Sequence, residues 1–179
     1  EVLIVRKVGA PGNPELAAAA LVAGSPDDIV LNREIVEAYG LTNSELSALV
    51  KNERPELERR VALYIGNRRQ VSVANKTAII VDDGMATGTT AKAAIRALRR
   101  RGPARIVLAL PVAPAEVIEE MRSEVDLLVC LHQPIRFKAL GYHYLNFEQV
   151  SDDIVIDTLR KSDEAYRLLS KPEHIRTKP

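Results

Sequence analysis

Two adjacent carboxylates, Asp82 and Asp83, are followed directly by GMATGTT. Acid pairs of this kind can accept hydrogen bonds from two neighbouring hydroxyls of a sugar, or hold a cation through its water. The segment behind them is built of glycines, small side chains and threonine hydroxyls, so free backbone N–H groups can converge there on one anion. Together they suit a ribose phosphate, with Asp82 and Asp83 on the sugar and Ala86, Thr87, Gly88, Thr89 and Thr90 around the phosphate. A strand-to-helix turn also uses Asp, Gly and Thr merely for capping and turn geometry. Against that plain reading, side-by-side carboxylates repel each other, and these hydroxyls exceed what one helix cap requires.

Other residues are candidates of lower rank. Arg6 and Lys7 leave an apolar strand and could contact a pyrophosphate, although a basic pair at a strand end is as readily a solvated one. The glycine- and proline-rich VGAPGNPE behind them reads as a lid over the site or as an ordinary connection. Arg68 and Arg69 read as a solvated connector. His132, after the strand LLVCL, and Phe137 are candidates for an acceptor pocket, with Phe137 or Tyr142 stacking on a flat ring. No CxxC or HExxH spacing accompanies His132, which argues against a transition-metal site. Cys130 is the only cysteine, and its apolar surroundings make it a buried structural thiol. The basic RALRRRGPAR falls at a helix C-terminus, where cations complement the helix dipole.

The elements that must position these residues follow from periodicity and breakers. Thr77 to Val81 is apolar after its first residue and predicts a strand covered on both faces, delivering Asp82 to its carboxyl end. A helix is expected from Thr89 to Arg101, a strand over Arg105 to Leu110, a helix after Pro114, and a third strand over Asp126 to Leu131. That alternation implies an α/β fold with a parallel sheet and right-handed crossovers. Upstream, Val2 to Val5 reads as a strand. Ala17 to Ala23 and Ile29 to Leu31 could pair as a hairpin across GSPDD, although the alanines also suit a helix. Asn32 caps a short helix ended by Gly40, and Thr42 starts a longer one that Pro55 should bend or restart. Ser151 to Ser170 reads as a last amphipathic helix, leaving 171–179 as a disordered tail.

The 179 residues suit one domain, taken as 1–170. With 25 basic against 24 acidic residues, the overall charge gives no reason to expect nucleic acid or an anionic membrane as the main partner. No apolar stretch of about 18 residues and no charged-then-apolar leader is present, and the single cysteine fits a reducing compartment, so a cytoplasmic protein is expected. The chain opens on Glu1 and enters EVLIV at once, which reads as a domain trimmed of its first strand.

VDDGMATGTT resembles the phosphoribosyl-pyrophosphate signature of type I phosphoribosyltransferases, in which four hydrophobic residues precede two acids and a TGxT-like loop. RKVGAPGNPELA, ELERR and RGPARIVLALPVAPAE resemble a bacterial subgroup of that family, so the similarity covers nearly the whole chain. The resemblance implies a Rossmann-like open parallel sheet of five strands flanked by helices, with a small hood for the base. It further implies transfer of a phosphoribosyl group from 5-phosphoribosyl-1-pyrophosphate to a nitrogenous base or related small-molecule acceptor. Asp82 and Asp83 would bind the ribose hydroxyls directly or through the water of Mg²⁺, and a homodimer is a possible assembly. Two departures matter. Ala86 stands where enzymes acting on 6-oxopurines carry an acidic general base, which places the motif nearer those of the adenine, orotate and uracil enzymes. The family's pyrophosphate-binding turn, often PRGG-like, is absent from these residues. Either it lies upstream of Glu1, or the protein cannot hold pyrophosphate in the usual way, and the second alternative keeps open a non-catalytic sensor of phosphoribosyl pyrophosphate or a nucleotide. Phosphate-ester hydrolysis has no nucleophile and base pair to support it.

Overall fold

The computed structural model describes residues 1–23, 28–66, 68 and 71–169. The GSPDD turn apart from its last residue, Arg69 and the tail 171–179 lie outside the described residues. The chain divides into two compact units, Glu1–Phe147 and Glu148–Pro179.

The first unit contains two sheets. Strands β1 (Val5–Ala10), β2 (Asn13–Val22) and β3 (Asp28–Leu31) form one, antiparallel throughout. Strands β4 (Thr77–Val81), β5 (Arg105–Val112) and β6 (Leu127–His132) form the other, parallel in the order β4-β5-β6. The expected strand, helix, strand alternation is therefore found in the second half of the unit. Among the described residues the parallel sheet has three strands rather than the five that the resemblance implies. The reason lies in the connections: β1 and β2 meet through a two-residue turn at Pro11 and Gly12, too short for a crossover, so they can only run antiparallel. Gly12 supplies the positive φ of 73° that this turn needs.

Two expectations shift upstream, and a third fails in β4, which is not covered on both faces, since Ile79 and Val81 lie 63% and 75% exposed. The first strand is Val5–Ala10 instead of Val2 to Val5, because pairing with β2 decides its bounds. In consequence VGAPGNPE is not a free lid but the tip of the β1–β2 hairpin. The alanine-rich segment is a strand, Ala17 to Leu21 all lying 4% exposed or less, and this small-residue surface lets helices approach it closely. The hairpin reading of that segment with Ile29 to Leu31 holds.

Helix α1 (Arg33–Ala38) begins where the side chain of Asn32 accepts the N–H of Ile35. Helix α2 (Asn43–Arg60) begins with a capping box of Thr42 and Glu45 and runs through Pro55, continuing as a π-helical turn over Val61–Ile65. Pro55 neither ends nor restarts it. Helix α3 (Thr89–Arg100) lies between both sheets. Ala91, Ile95 and Leu98 pack with Ile106, Leu108 and Leu110 of β5, while Ala93 and Ala97 pack on Ala20, Val22 and Val30 of the antiparallel sheet. Alanines on that flank keep the helix close enough to β2 for its N-terminus to meet the end of β3. Helix α4 (Ala115–Met121) completes the β5–β6 crossover and buries Ile118 and Met121 in the same core. The second unit carries helix α5 (Asp152–Leu169), as its sequence period predicts. No helix among the described residues is long and apolar enough to cross a membrane.

Candidate functional site

Strand β4 ends at Val81, and its parallel pairing with β5 carries through to the bond from the Asp82 N–H to the Ala109 carbonyl. The chain then leaves the sheet. The Asp83 N–H turns back to donate to Asp82 Oδ1 at 3.0 Å, which holds the Asp82 carboxylate against the backbone of Asp83. Burial at the cavity wall and the like charge of Asp83 push the Asp82 carboxyl up from its ordinary value, although the Asp83 N–H partly opposes this. Two acids held this way favour a bound cation or hydroxyl donors.

Behind the pair, Gly84 and Met85 are buried, and the Met85 N–H donates to the Val112 carbonyl at 3.1 Å. Gly88 takes φ 75° and hands over to α3, whose first residues are Thr89 and Thr90. Ala86, Thr87 and Thr90 are exposed at the helix N-terminus, while Gly88 and Thr89 are buried. The structure places the sequence-chosen loop residues together but on two sides of the helix start. Asp82 and Thr90 line a cavity of about 600 Å³ that also has Val2, Val5 and Ile80 in its wall. Thr87 and Thr89 line a second hollow of about 310 Å³.

A metal is tested by the donors present. Among the described residues, no three His, Cys, Asp or Glu side chains come together as a metal cage. An acid pair alone suits Mg²⁺, which keeps waters and completes its shell with ligand phosphates. The fit is to an ion arriving with its ligand, with Asp82 and Asp83 contributing directly or through water.

His132 and Phe137 do come near one another, through a residue that the sequence does not single out. His143, on a 3₁₀ turn (Leu140–His143), stacks on Phe137 with ring centroids 5.5 Å apart and tilts against His132 at 5.6 Å. Its Nε2 is buried without a hydrogen-bond partner among the described residues. Tyr142 lies instead under the Lys138 ammonium, 5.7 Å from the ring centre, and is exposed. Cys130 is half-buried rather than buried as expected, and its thiol donates to the His132 carbonyl.

Two further residues join distant segments to the acid pair and loop. The Tyr144 hydroxyl donates to the Asp83 carbonyl, and desolvation with the nearby Asp83 and Asp82 charges raises its pKa. The Asn32 amide, besides capping α1, donates to Thr89 Oγ1 at 3.3 Å. In the sequence Asn32 is visible only as a cap, and Tyr144 belongs to no pattern. Tyr144→Phe is expected to free the Asp83 carbonyl and cost about 0.5–1.5 kcal/mol of stability, the net worth of a typical hydrogen bond. A urea titration against the unchanged protein checks this; equal midpoints would remove Tyr144 as a strut of the site.

Arg6 and Lys7 are placed differently from each other. Arg6 forms an ion pair with Glu53 of α2 at 2.7 Å, on the face of β1 that packs on that helix. Lys7 alternates to the other face, the one it shares with Val5 in the wall of the large cavity. Arg68 is exposed, as expected of a connector.

A strand, acid pair, glycine-rich loop and helix at the carboxyl edge of a parallel sheet define an α/β protein that gathers its chemistry at that edge. The phosphoribosyl transferase domain model matches residues 35–144, a span that holds this whole unit, and the chain belongs to that family. Two curated relatives from Mycobacterium tuberculosis strains CDC 1551 / Oshkosh and ATCC 25618 / H37Rv are named "Putative phosphoribosyl transferase MT0597" and "Putative phosphoribosyl transferase Rv0571c". Each is 39% identical over 167 residues, which is 93% of this chain and 37% of the relative. The chain thus spans little more than a third of their length. A solved structure, the crystal structure of TT1426 from Thermus thermophilus, is similar with a TM-score of 0.70 at 35% identity, covering 90% of this chain and 75% of that one.

Proposed function

We propose that the protein transfers a phosphoribosyl group from 5-phosphoribosyl-1-pyrophosphate to a nitrogen of a small-molecule acceptor. The observation that carries this reading is the acid pair itself: Asp82 and Asp83, with the carboxylate of the first held by the N–H of the second, stand directly before a loop of small residues at a helix N-terminus. In the reaction the bond from the sugar C1 to the pyrophosphate oxygen breaks, and its electron pair leaves with pyrophosphate. The acceptor nitrogen forms the new bond to C1 and gives up its proton. Positive charge develops on the sugar meanwhile, and the protein's part is positioning and electrostatics. Asp82 and Asp83 hold the ribose hydroxyls and stabilise that charge. The backbone N–H groups and hydroxyls of Ala86 to Thr90 anchor the 5-phosphate, so that remote binding energy holds C1 in reacting geometry. Asp82 and Asp83 are the residues that would hold Mg²⁺, directly or through water, and the ion would supply neutralising charge to the leaving pyrophosphate.

The cluster of His132, Phe137 and His143 stands at and after the end of β6, two strands across the sheet from β4, and supplies flat surfaces and one unused buried nitrogen, which suits a planar base. Ala86 offers no acidic group at the loop, so the acceptor is not expected to need a general base there. A second reading is a sensor that binds the donor without turning it over. Such a sensor would hold the donor with the same acid pair and loop.

Incubating the protein with the donor, Mg²⁺ and a panel of bases, while following pyrophosphate release, separates the two. Release with at least one base is expected. Donor binding without release for any base would establish the sensor instead.

A further inference from the structure

The ribose-phosphate loop has a second polar hollow on its flank. It lies where the end of β3, the start of α1, the loop and α3 converge, with α4 on its far side. Three cations border it: Arg33 from α1, and Lys92 and Arg96 from one flank of α3. Residues 89, 92 and 96 fall on one side of a helix, so the buried Thr89 and both α3 cations share that side. Lys92 is paired with Glu120, and Glu34 adds a further negative charge at the rim. The guanidinium groups of Arg33 and Arg96 make no ion pair or hydrogen bond with a described residue. They are charged donors in fork geometry beside the hydroxyls of the loop. Arg6, by contrast, is already neutralised by Glu53.

We propose that this hollow is a second phosphate subsite, which takes the phosphate group of a small molecule between Arg33 and Arg96 while sharing Thr87 with the loop. The inference adds to the phosphoribosyl reading and uses it only to say which phosphate comes next door. Its chemistry stands on the two arginines. A guanidinium binds a phosphate through two parallel N–H bonds, and two forks from separate elements can grip it from both sides. At about 310 Å³ the hollow admits a phosphate with part of its carrier. Asn32 links its two walls, since one side chain caps α1 and reaches Thr89, so an anion there would also steady the start of α3.

The test titrates the ¹⁵N-labelled protein with inorganic phosphate and, separately, with ribose 5-phosphate. Amide and guanidinium signals of Arg33, Lys92 and Arg96 are followed together with the amides of residues 86–90. Inorganic phosphate should move the Arg33 and Arg96 signals along a saturating curve. Arg33→Gln with Arg96→Gln should weaken that curve by about tenfold or more, as expected for lost charge-assisted bonds. Asp82→Asn with Asp83→Asn should leave it unchanged. Should ribose 5-phosphate fail to move residues 86–90 while inorganic phosphate still saturates Arg33 and Arg96, the phosphoribosyl reading falls and the subsite stands. No saturable shift at Arg33 and Arg96, the same shift from chloride at matched ionic strength, or an unweakened curve in the arginine variant overturns the subsite. A circular dichroism spectrum like that of the parent shows that the variant is folded, since both arginines are exposed.

Discussion

Asp82→Asn combined with Asp83→Asn is expected to reduce donor affinity by about a hundredfold or more and at the same time to raise the thermal midpoint. The loss follows from the bonds removed. A hydrogen bond to a charged group contributes about 1.5–3 kcal/mol, and two carboxylates holding two hydroxyls together exceed the ~2.7 kcal/mol of a hundredfold change. The gain follows from the pKa of Asp82, which burial and the Asp83 charge raise in the folded state. A carboxyl whose folded pKa lies above its unfolded one supports folding only while protonated, below the unfolded pKa. That support is lost as the pH rises through the folded pKa, so at neutral pH the ionised Asp82 opposes folding. Asparagine keeps the shape without the charge, and the pH dependence of stability should flatten above the acid range. Calorimetric titration with the donor and Mg²⁺, with thermal melts between about pH 4 and 8 to span the titration range, would measure both effects. Unchanged donor affinity would remove these acids from the site, and a lowered midpoint would show that they serve the fold instead.

The second large effect concerns Gly84, between the acid pair and the phosphate loop. Its φ is 152°, and a Cβ there would lie 2.8 Å from the Val112 carbonyl oxygen and run into the side chain of Leu140. The Val112 carbonyl does not yield, since it belongs to a paired strand residue in the core, whereas the half-buried Leu140 side chain must turn away. Gly84→Ala therefore adds overpacking of ~1–3 kcal/mol to backbone strain of similar size, for a total of about 2–5 kcal/mol. Gly12→Ala is the matched comparison. It also has a positive φ, 73°, but nothing lies within 4 Å of its Cβ, so only the strain of about 1 kcal/mol remains. Urea unfolding of both variants decides the matter. If Gly84→Ala costs no more than Gly12→Ala, the close packing of the 3₁₀ turn on the acid-pair loop is not what fixes the site.

These two cases mark where local pattern stops being informative. Gly84 reads as one more loop glycine in VDDGMATGTT, and only the Leu140 and Val112 atoms above it show why a methyl group is excluded. Pro55 reads as a place to bend or restart α2, yet the helix does not restart there, because Leu46, Val50 and Leu57 on one face, on both sides of the proline, bury with residues of the antiparallel sheet. Val2 to Val5 reads as a complete strand from composition, whereas strand bounds are set by the partner strand, and β2 pairs from Val5 onward.

By itself the sequence determined the parallel β4-β5-β6 unit and the acid pair with its loop. Each of these is a local statement: an apolar run, a breaker and a helix period within about 15 residues, the range over which backbone geometry and side-chain period act directly. Tertiary structure alone decided the split into two sheets, the pairing of Arg6 with Glu53, the contact of Asn32 with Thr89 and the reach of Tyr144 to Asp83. Those partners lie 47, 57 and 61 residues apart, and no period in the chain connects them. Their meeting is a consequence of packing, in which α3 is drawn between two sheets by opposite apolar flanks and so brings the end of β3 to the phosphate loop.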